Sequence, residues 1–305
     1  MRIFISGATG VIGRRVVPLL KSRGHAVTAM VRTPLGRDRV EKAGARGVAA
    51  DLFDVDALKR TVAGHDAVVN LATHMPSSTW MMLFRRAWRE NDRVRTTGAA
   101  NLVDAALVCD VGTLIQESFA LTYPDRGDLW IDETTALMPA AYNRSVLDAE
   151  QSVARFTSNH RSGVVLRFAA FYGPDAMQVK SYITSLRRGW AALPGGPDRY
   201  VSSISHDDAA AAVVAALDAP AGAYTVSDDE PVRRAIYFGT LAKELSLAPP
   251  RFLPRWTTPL FGSVGELAAR SLRLSNRKLR HATHWAPRYP SVREGWPAML
   301  AQMKA

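Results

Sequence analysis

Cysteine is almost missing: the 305 residues contain one, Cys109. No internal disulfide can form, so a reducing compartment, the cytoplasm, is expected. Cys109 reads as a small buried residue near a helix end, not a reactive thiol. Long apolar runs are missing too. None approaches the roughly 18 residues of a membrane span. The longest candidate, Ala209 to Leu217, is Ala-rich and reads as a packed helix. The chain starts on a strand, without a basic segment followed by an apolar one, so no signal peptide is expected. Acidic side chains are in deficit: 28 Asp and Glu against 39 Lys and Arg, a formal net charge of +11. An excess of that size raises the question of a nucleic-acid partner. The arginines are scattered, however. The nearest thing to a cluster is Arg85, Arg86, Arg89, Arg93 and Arg95 on one helical stretch. No motif that reads RNA or DNA accompanies them, and no nucleic-acid or membrane partner is expected. Repeats, low-complexity tracts and metal-ligand sets are also missing.

What is present begins at the first residue. In MRIFISGATGVIG the apolar run Ile3-Phe4-Ile5 stops at Gly7, glycines follow at Gly10 and Gly13, and a helical pattern begins. Strand, glycine-rich turn and helix together suit a pyrophosphate. Gly7 permits the tight turn, Gly10 lets the backbone approach the phosphates, and Gly13 lets the helix pack closely on the strand. The helix start points free N–H groups at the anion. The spacing is G-x-x-G-x-x-G, not the G-x-G-x-x-G of the dinucleotide fingerprint. The turn Gly7, Thr9, Gly10, Val11, Ile12 and Gly13 is the expected dinucleotide cradle.

The second strand, Ala26 to Val31, ends where a ribose would lie. An acid there binds the 2′-hydroxyl of NAD, whereas an arginine accommodates a 2′-phosphate. This chain has Arg32, Thr33 and Arg37, with no acid until Asp38. NADP(H) is therefore favoured, with NAD(H) the alternative. A third strand, Arg46 to Ala50, ends at Asp51-Leu52, at the adenine edge, and Asp54 caps the next helix. The fourth strand, Asp66 to Leu71, runs into Leu71-Ala72-Thr73, where small residues let the backbone pass the cofactor.

The stretch His74 to Arg89 (His74, Met75, Trp80, Met82, Trp88) reads as a lid. A long helix is expected from Arg86 to Leu107, with a fifth strand from Thr113 to Glu117 ending at Ser118. A helix from Ala140 to Ser158 containing Tyr142 and a sixth strand, Gly163 to Phe168, follow. This alternation predicts an α/β fold: a doubly wound parallel Rossmann sheet with a smaller, mostly helical C-terminal substrate domain. Residues 1–168 and 206–228 are assigned to the Rossmann domain. Residues 169–205 and 229–305 are assigned to the substrate-binding part, with Trp256 and Phe261 facing its pocket.

Four stretches resemble the extended short-chain dehydrogenases/reductases, in their NAD-dependent epimerase/dehydratase-like branch. They are GATGVIG in the first turn, LRFAAFYGP (Leu166 to Pro174), HDDAA (His206 to Ala210) and YTVSDDEPV (Tyr224 to Val232). The resemblance implies a catalytic Ser or Thr after strand five and a Y-x-x-x-K pair on the next helix. Ser118 and Tyr142 take those places. The family also has a tyrosine four residues after the Ser/Thr. Tyr123 lies five after Ser118, which implies a local insertion. Tyr142-Asn143-Arg144-Ser145-Val146 has valine where the family has lysine. That lysine lowers the tyrosine pKa. A free tyrosine titrates near 10, about one in a thousand is ionised at pH 7, and base chemistry starts with a handicap of about 4 kcal/mol. A tyrosine acting as an acid is always protonated. The loss therefore penalises alcohol oxidation more than carbonyl reduction.

These features predict an NADP(H)-dependent oxidoreductase reducing a carbonyl or related group of a small organic substrate, with Tyr142 as proton donor and Ser118 on the substrate oxygen. The alternatives are an epimerase, isomerase or dehydratase of the same fold, or an NADP-binding protein without redox chemistry. Family members often form homodimers through the long helices after strands four and five. The arginines at Arg85 to Arg95 work against that here.

Overall fold

The apolar run at the N-terminus forms β1 (Arg2–Ser6), which becomes the centre of the molecule. The computed structural model describes residues 1–76, 78 and 80–304; Ser77 and Thr79 of the expected lid, and Ala305, lie outside the described residues. After β1 come α1 (Gly13–Ser22), β2 (Ala26–Val31), α2 (Pro34–Lys42), β3 (Arg46–Ala49), α3 (Val55–Val62) and β4 (Ala67–Asn70). Next are α4 (Arg89–Arg93), α5 (Ala99–Val108), β5 (Thr113–Phe119), β6 (Trp130–Ile131), α6 (Ser145–Phe156), β7 (Ser162–Phe168) and β8 (Ala170–Tyr172). The rest is α7 (Met177–Arg187), β9 (Tyr200–Val201), β10 (Ser203–Ser205), α8 (His206–Ala215), β11 (Gly222–Val226), β12 (Val232–Arg233), α9 (Arg234–Glu244), α10 (Gly262–Ala269), β13 (Arg273–Leu274), α11 (Arg277–Thr283) and α12 (Val292–Lys304).

Seven strands form one parallel sheet in the order β3-β2-β1-β4-β5-β7-β11. The order reverses between β1 and β4, so a crevice opens at their carboxyl ends, where such sheets bind ligands. Both faces are covered. Val16, Val17 and Leu20 of α1 and the alanines of α8 pack on Ile3, Ile5, Val69 and Ile115. Leu58 of α3, Leu102 of α5 and Val153 of α6 pack on Phe4, Val68 and Leu114 of the other face. Alternate residues of one strand thus feed opposite cores, as a pleated strand requires. A separate core gathers Tyr172, Tyr182 and Ile183 with Tyr237, Phe238, Trp296 and Met299, from β8, α7, α9 and α12.

The doubly wound parallel fold is as expected, and several boundaries differ. A helix unread in the sequence, α2, follows β2: Pro34 sits in its first turn and the Thr33 side chain accepts from the Gly36 N–H at 3.1 Å. The expected helix from Arg86 begins as a 3-10 turn (Arg85–Trp88) and passes through a π-turn (Val94–Gly98) between α4 and α5. The helix expected from Ala140 starts at Ser145, so Tyr142 precedes it in a turn closed by Asn143 N–H on Ala140 O at 3.2 Å. Cys109 follows α5, half-buried, its Sγ on Lys59 O, and burial pushes its thiol pKa up. Among the described residues no helix is long and apolar enough to cross a membrane.

Candidate active site

Gly7 carries φ +75°, and a Cβ there would stand 2.5 Å from the Leu71 carbonyl. Only glycine lets the ends of β1 and β4 close to that distance. A Cβ on Gly13 would stand 2.2 Å from Gly7 O, so the start of α1 presses directly on the turn. Thr9, Gly10 and Val11 remain exposed at the crevice, with Ile12 half-buried and Gly13 buried behind them. The first turn of α1 contains no acid; Arg14 and Arg15 donate their N–H groups to Gly10 O and Ile12 O, which leaves those of Val11, Ile12 and Gly13 to an anion. Leu71 lies against Gly7, with Ala72 half-buried and Thr73 exposed beyond it.

A cavity of about 350 Å³ lies beside this cradle, lined by Val31, Arg32, Thr33, Pro34, Arg37, Asp38 and Ala49. Arg32 and Arg37 are exposed and enter no ion pair among the described residues. Asp51 is exposed and accepts from Phe53 N–H at 3.0 Å, whereas Leu52 is buried and holds Asn101 through its carbonyl at 2.9 Å. The glycine turn, the Leu71–Thr73 segment and the arginine-lined cavity therefore sit together at the crevice. Leu52 turns inward to the core.

Below the turn runs a buried polar ladder that the sequence did not announce. Ser6 Oγ donates to Asn70 Oδ1 at 2.5 Å, Asn70 Nδ2 to Gln116 Oε1 at 2.8 Å, and Gln116 Nε2 to Glu117 O at 2.8 Å. It links β1, β4 and β5 where they end under the crevice.

Tyr142 is buried among Trp88, Ala140 and Leu267, with Met82 and Val264 against them. Its ring lies 4.5 Å from that of Trp88. Burial pushes its hydroxyl up to about 12, against the opposing pull of the Arg95 and Arg270 guanidinium groups. Arg95, the last of the Arg85–Arg95 cluster, is buried and holds Glu117 through Nη2 at 2.9 Å and Nε at 3.2 Å. Val146, at the lysine position of the family pattern, is packed to 1 % exposure. Lys180 is exposed on α7 and is not among the charges acting on Tyr142.

Ser118 stands apart from this cluster. Its hydroxyl donates to Glu150 Oε1 at 2.5 Å, and Glu150 is gripped by Arg167 through Nε at 2.9 Å and Nη2 at 2.6 Å. Arg167 also donates to Tyr123 OH at 2.8 Å. The hydroxyl is thus committed to a buried ion pair tying β5, α6 and β7. The stretch between Ser118 and Tyr123, where an insertion is expected, is the end of β5 and the 3-10 turn Ala120–Thr122. β5 pairs with β7 in unbroken register from Thr113↔Ser162 to Phe119↔Phe168. Phe119, four before Tyr123, has no hydroxyl, and pleating turns it to the face opposite Ser118.

The expected lid is only partly a lining. Met82 packs on the Tyr142 cluster, and Phe261 is half-buried. His74, Met75, Trp80 and Trp256 are exposed. The His74 backbone N–H donates to Asn91 Oδ1 at 2.9 Å. Asn91, at 0 % exposure, and Asn143, at 1 %, went unnoticed in the sequence because their role depends on burial.

Comparison with known proteins places these features in context. Residues 7–220 match a family model described as NAD(P)H-binding. A Streptomyces protein named 3-diazoavenalumate denitrifying reductase is 34% identical over 311 residues, covering 97% of this chain and 99% of its own. A Stigmatella aurantiaca protein named 4-hydroxy-2-methyl-3-oxo-4-farnesyl-3,4-dihydroquinoline-1-oxide ketoreductase is 27% identical over 243 residues, 76% of this chain and 70% of its own. Among solved structures, a human epimerase family protein with NADPH superposes with TM-score 0.80 at 19% identity, over 99% of both chains. A Thermus thermophilus UDP-glucose 4-epimerase with NAD superposes with TM-score 0.79 at 22% identity, over 100% of this chain and 99% of its own.

Proposed function

Because the chain belongs to the NAD(P)H-binding family, within the short-chain dehydrogenase/reductase-like Rossmann fold, we propose that it is an NADPH-dependent reductase that hands hydride to a small electrophile without drawing a proton from the protein. The observation that carries this reading is the surroundings of Tyr142. Valine stands at the lysine position, and Ser118, outside this cluster, is held by Glu150. A tyrosine near 12 is about five units from ionising at pH 7, a barrier of about 7 kcal/mol to acting as base. That disfavours an epimerase cycle, which opens by deprotonating an alcohol. A raised pKa also makes Tyr142 a weaker acid for a developing alkoxide.

The residues at the crevice fit NADPH. The glycine turn and the start of α1 would hold the pyrophosphate, Arg32 and Arg37 the 2′-phosphate, and Asp51 the adenine side, with Leu71, Ala72 and Thr73 beside the ribose near Tyr142. Bound there, the cofactor supplies the hydride. Residues 169–205 and 229–305 would bring the substrate to Tyr142.

Carbonyl reduction consumes a hydride and a proton. An arenediazonium cation consumes a hydride alone: the hydride becomes the new hydrogen of the arene, the carbon–nitrogen bond breaks, and dinitrogen leaves. Atoms and charge balance with NADPH becoming NADP⁺. The name of the 34% identical relative, a denitrifying reductase of a diazo compound, supports that class. The aromatic rings of Trp88 and Tyr142, tilted at 46° to one another, would favour a cation.

NADPH oxidation should be followed with benzenediazonium and with a ketone panel. With NADPH deuterated at the transferable hydrogen, in ordinary water, the arene is expected to carry deuterium. In deuterated water with ordinary NADPH it is expected to carry none. Tyr142→Phe should then keep its rate within about threefold, because no proton is needed. Turnover of ketones only, abolished by Tyr142→Phe, would overturn the reading.

A further inference from the structure

We propose that Asn91 and Asn143 form a recognition pair for the polar head of the ligand seated at Tyr142, a neutral group that both accepts and donates hydrogen bonds, as the nicotinamide carboxamide does. The inference rests on the reductase reading only in placing the nicotinamide beside Tyr142.

Nine buried side-chain polar atoms lack a hydrogen-bond partner among the described residues, and three of them belong to these two asparagines. Asn91 leaves Nδ2 unpartnered, and Asn143 leaves both Nδ2 and Oδ1. Asn143 is alone in having both ends of a side chain unpartnered, so exchanging its nitrogen and oxygen satisfies neither. Buried carboxamides are almost always paired in folded proteins, and one that is not calls for a reason.

Two ties bring the asparagines together. The Trp88 and Tyr142 rings lie 4.5 Å apart, and Ser145 Oγ donates to Asp92 Oδ1 at 2.7 Å. Asn91 lies between the tied residues on one segment, and Asn143 lies between them on the other. Asn91 also holds the His74 N–H at 2.9 Å, just beyond Leu71–Thr73. The pair therefore stands where the segment leaving β4 meets Tyr142. Its free inventory is two amide nitrogens that donate and one oxygen that accepts. A primary carboxamide is complementary: its carbonyl takes an N–H from the pair, and its own N–H₂ gives to Asn143 Oδ1. A substrate hydroxyl offers the same pairing, and the experiment separates the two sources.

Asn143→Leu and Asn91→Leu keep side-chain volume and remove the polar ends. Three readouts are needed: the melting temperature without ligand, the Kd of NADPH by fluorescence, and the Kd of the acetylpyridine analogue of NADPH, whose ketone accepts but cannot donate. Asn143→Leu should raise the ligand-free melting temperature, because an unpaired buried group is gone. It should weaken NADPH about tenfold and leave the analogue unchanged, erasing a preference that the unmodified protein shows. Asn91→Leu should weaken both cofactors through the lost carbonyl contact, and it decides the matter if Asn143→Leu does not fold. An unchanged NADPH Kd with a tenfold rise in KM for a hydroxymethyl-substituted benzenediazonium, at constant kcat and with no change for benzenediazonium itself, assigns the same pairing to a substrate group. A lower melting temperature with unchanged Kd and KM would make Asn143 a framework residue and overturn the proposal. If no electrophile oxidises NADPH yet the preference over the analogue disappears in the variant, the reductase reading falls and this one stands.

Discussion

Ser118 shows how much one residue's neighbours matter. A hydroxyl at the end of β5 is chemically fit to steady a substrate oxygen, but here it donates to a carboxylate already gripped by Arg167. A hydrogen bond to a buried charge contributes about 2 kcal/mol. Ser118→Ala should therefore lower the unfolding free energy by about that amount, read from urea titration, and leave the hydride-transfer rate within a factor of about two. A hundredfold rate loss at unchanged stability would return Ser118 to the chemistry. Glu150 is the stronger stabilising group of the pair, since removing one partner of a buried ion pair typically costs about 3–5 kcal/mol. Val146 teaches a related lesson: a packed valine leaves no solvated space into which a restored lysine could reach.

At the scale of elements, the junction of β2 and α2 is where the proposed preference for NADPH would be set. β2 ends at Val31, and α2 starts with Pro34 after the Thr33 cap. The two-residue connection leaves Arg32 exposed on the wall of the cavity, with Arg37 one turn into the helix. A guanidinium free of carboxylate partners can pair with a phosphate at full strength. Arg32→Ala should raise the Kd for NADPH at least tenfold, about 1.4 kcal/mol, and leave that for NADH unchanged in parallel titrations. Equal losses for both would take Arg32 out of phosphate recognition. The π-turn between α4 and α5 is a second device of this scale. Its extra residue falls where Arg95 turns inward to Glu117, and π-turns of this kind often mark functional positions.

Across the whole molecule, His206 joins three separate elements. Its Nδ1 lies 2.9 Å from Asp175 Oδ1, Asp175 also pairs with Arg14 and Arg15 of α1, and Arg15 reaches Asp207 of α8 at 2.7 Å. The ring is buried against Gly173, where a Cβ would stand 2.1 Å from Nδ1. Burial, then Arg15, then Arg14, with Asp207 opposing, lower its pKa from 6.5 to about 3. Between those values the unfolded chain binds a proton that the folded one refuses. Stability is therefore complete above about pH 6.5 and declines as the pH falls toward 3, by about 1.4 kcal/mol per unit. His206→Asn keeps a donor toward Asp175 and removes the titration. Between pH 7 and pH 5 the unmodified protein should lose about 2 kcal/mol more than this variant in urea unfolding; parallel curves would exclude His206 as the source.

The order of strands and helices, the parallel sheet and the glycine cradle could be read from the sequence, because they follow from local rules: β-branched runs, turn glycines and caps act within a few residues. Ile3 to Gly13 carries that information unaided. The surroundings of Tyr142 could not be read in the same way. Whether Arg95 is solvated or buried, whether Ser118 meets a substrate or Glu150, and whether Asn91 and Asn143 find partners all depend on which distant segments arrive. Sequence determined the fold and the class of cofactor through short-range geometry. The proton-handling of the site was decided only by tertiary packing, because a side chain's pKa and hydrogen bonds belong to its neighbours in space.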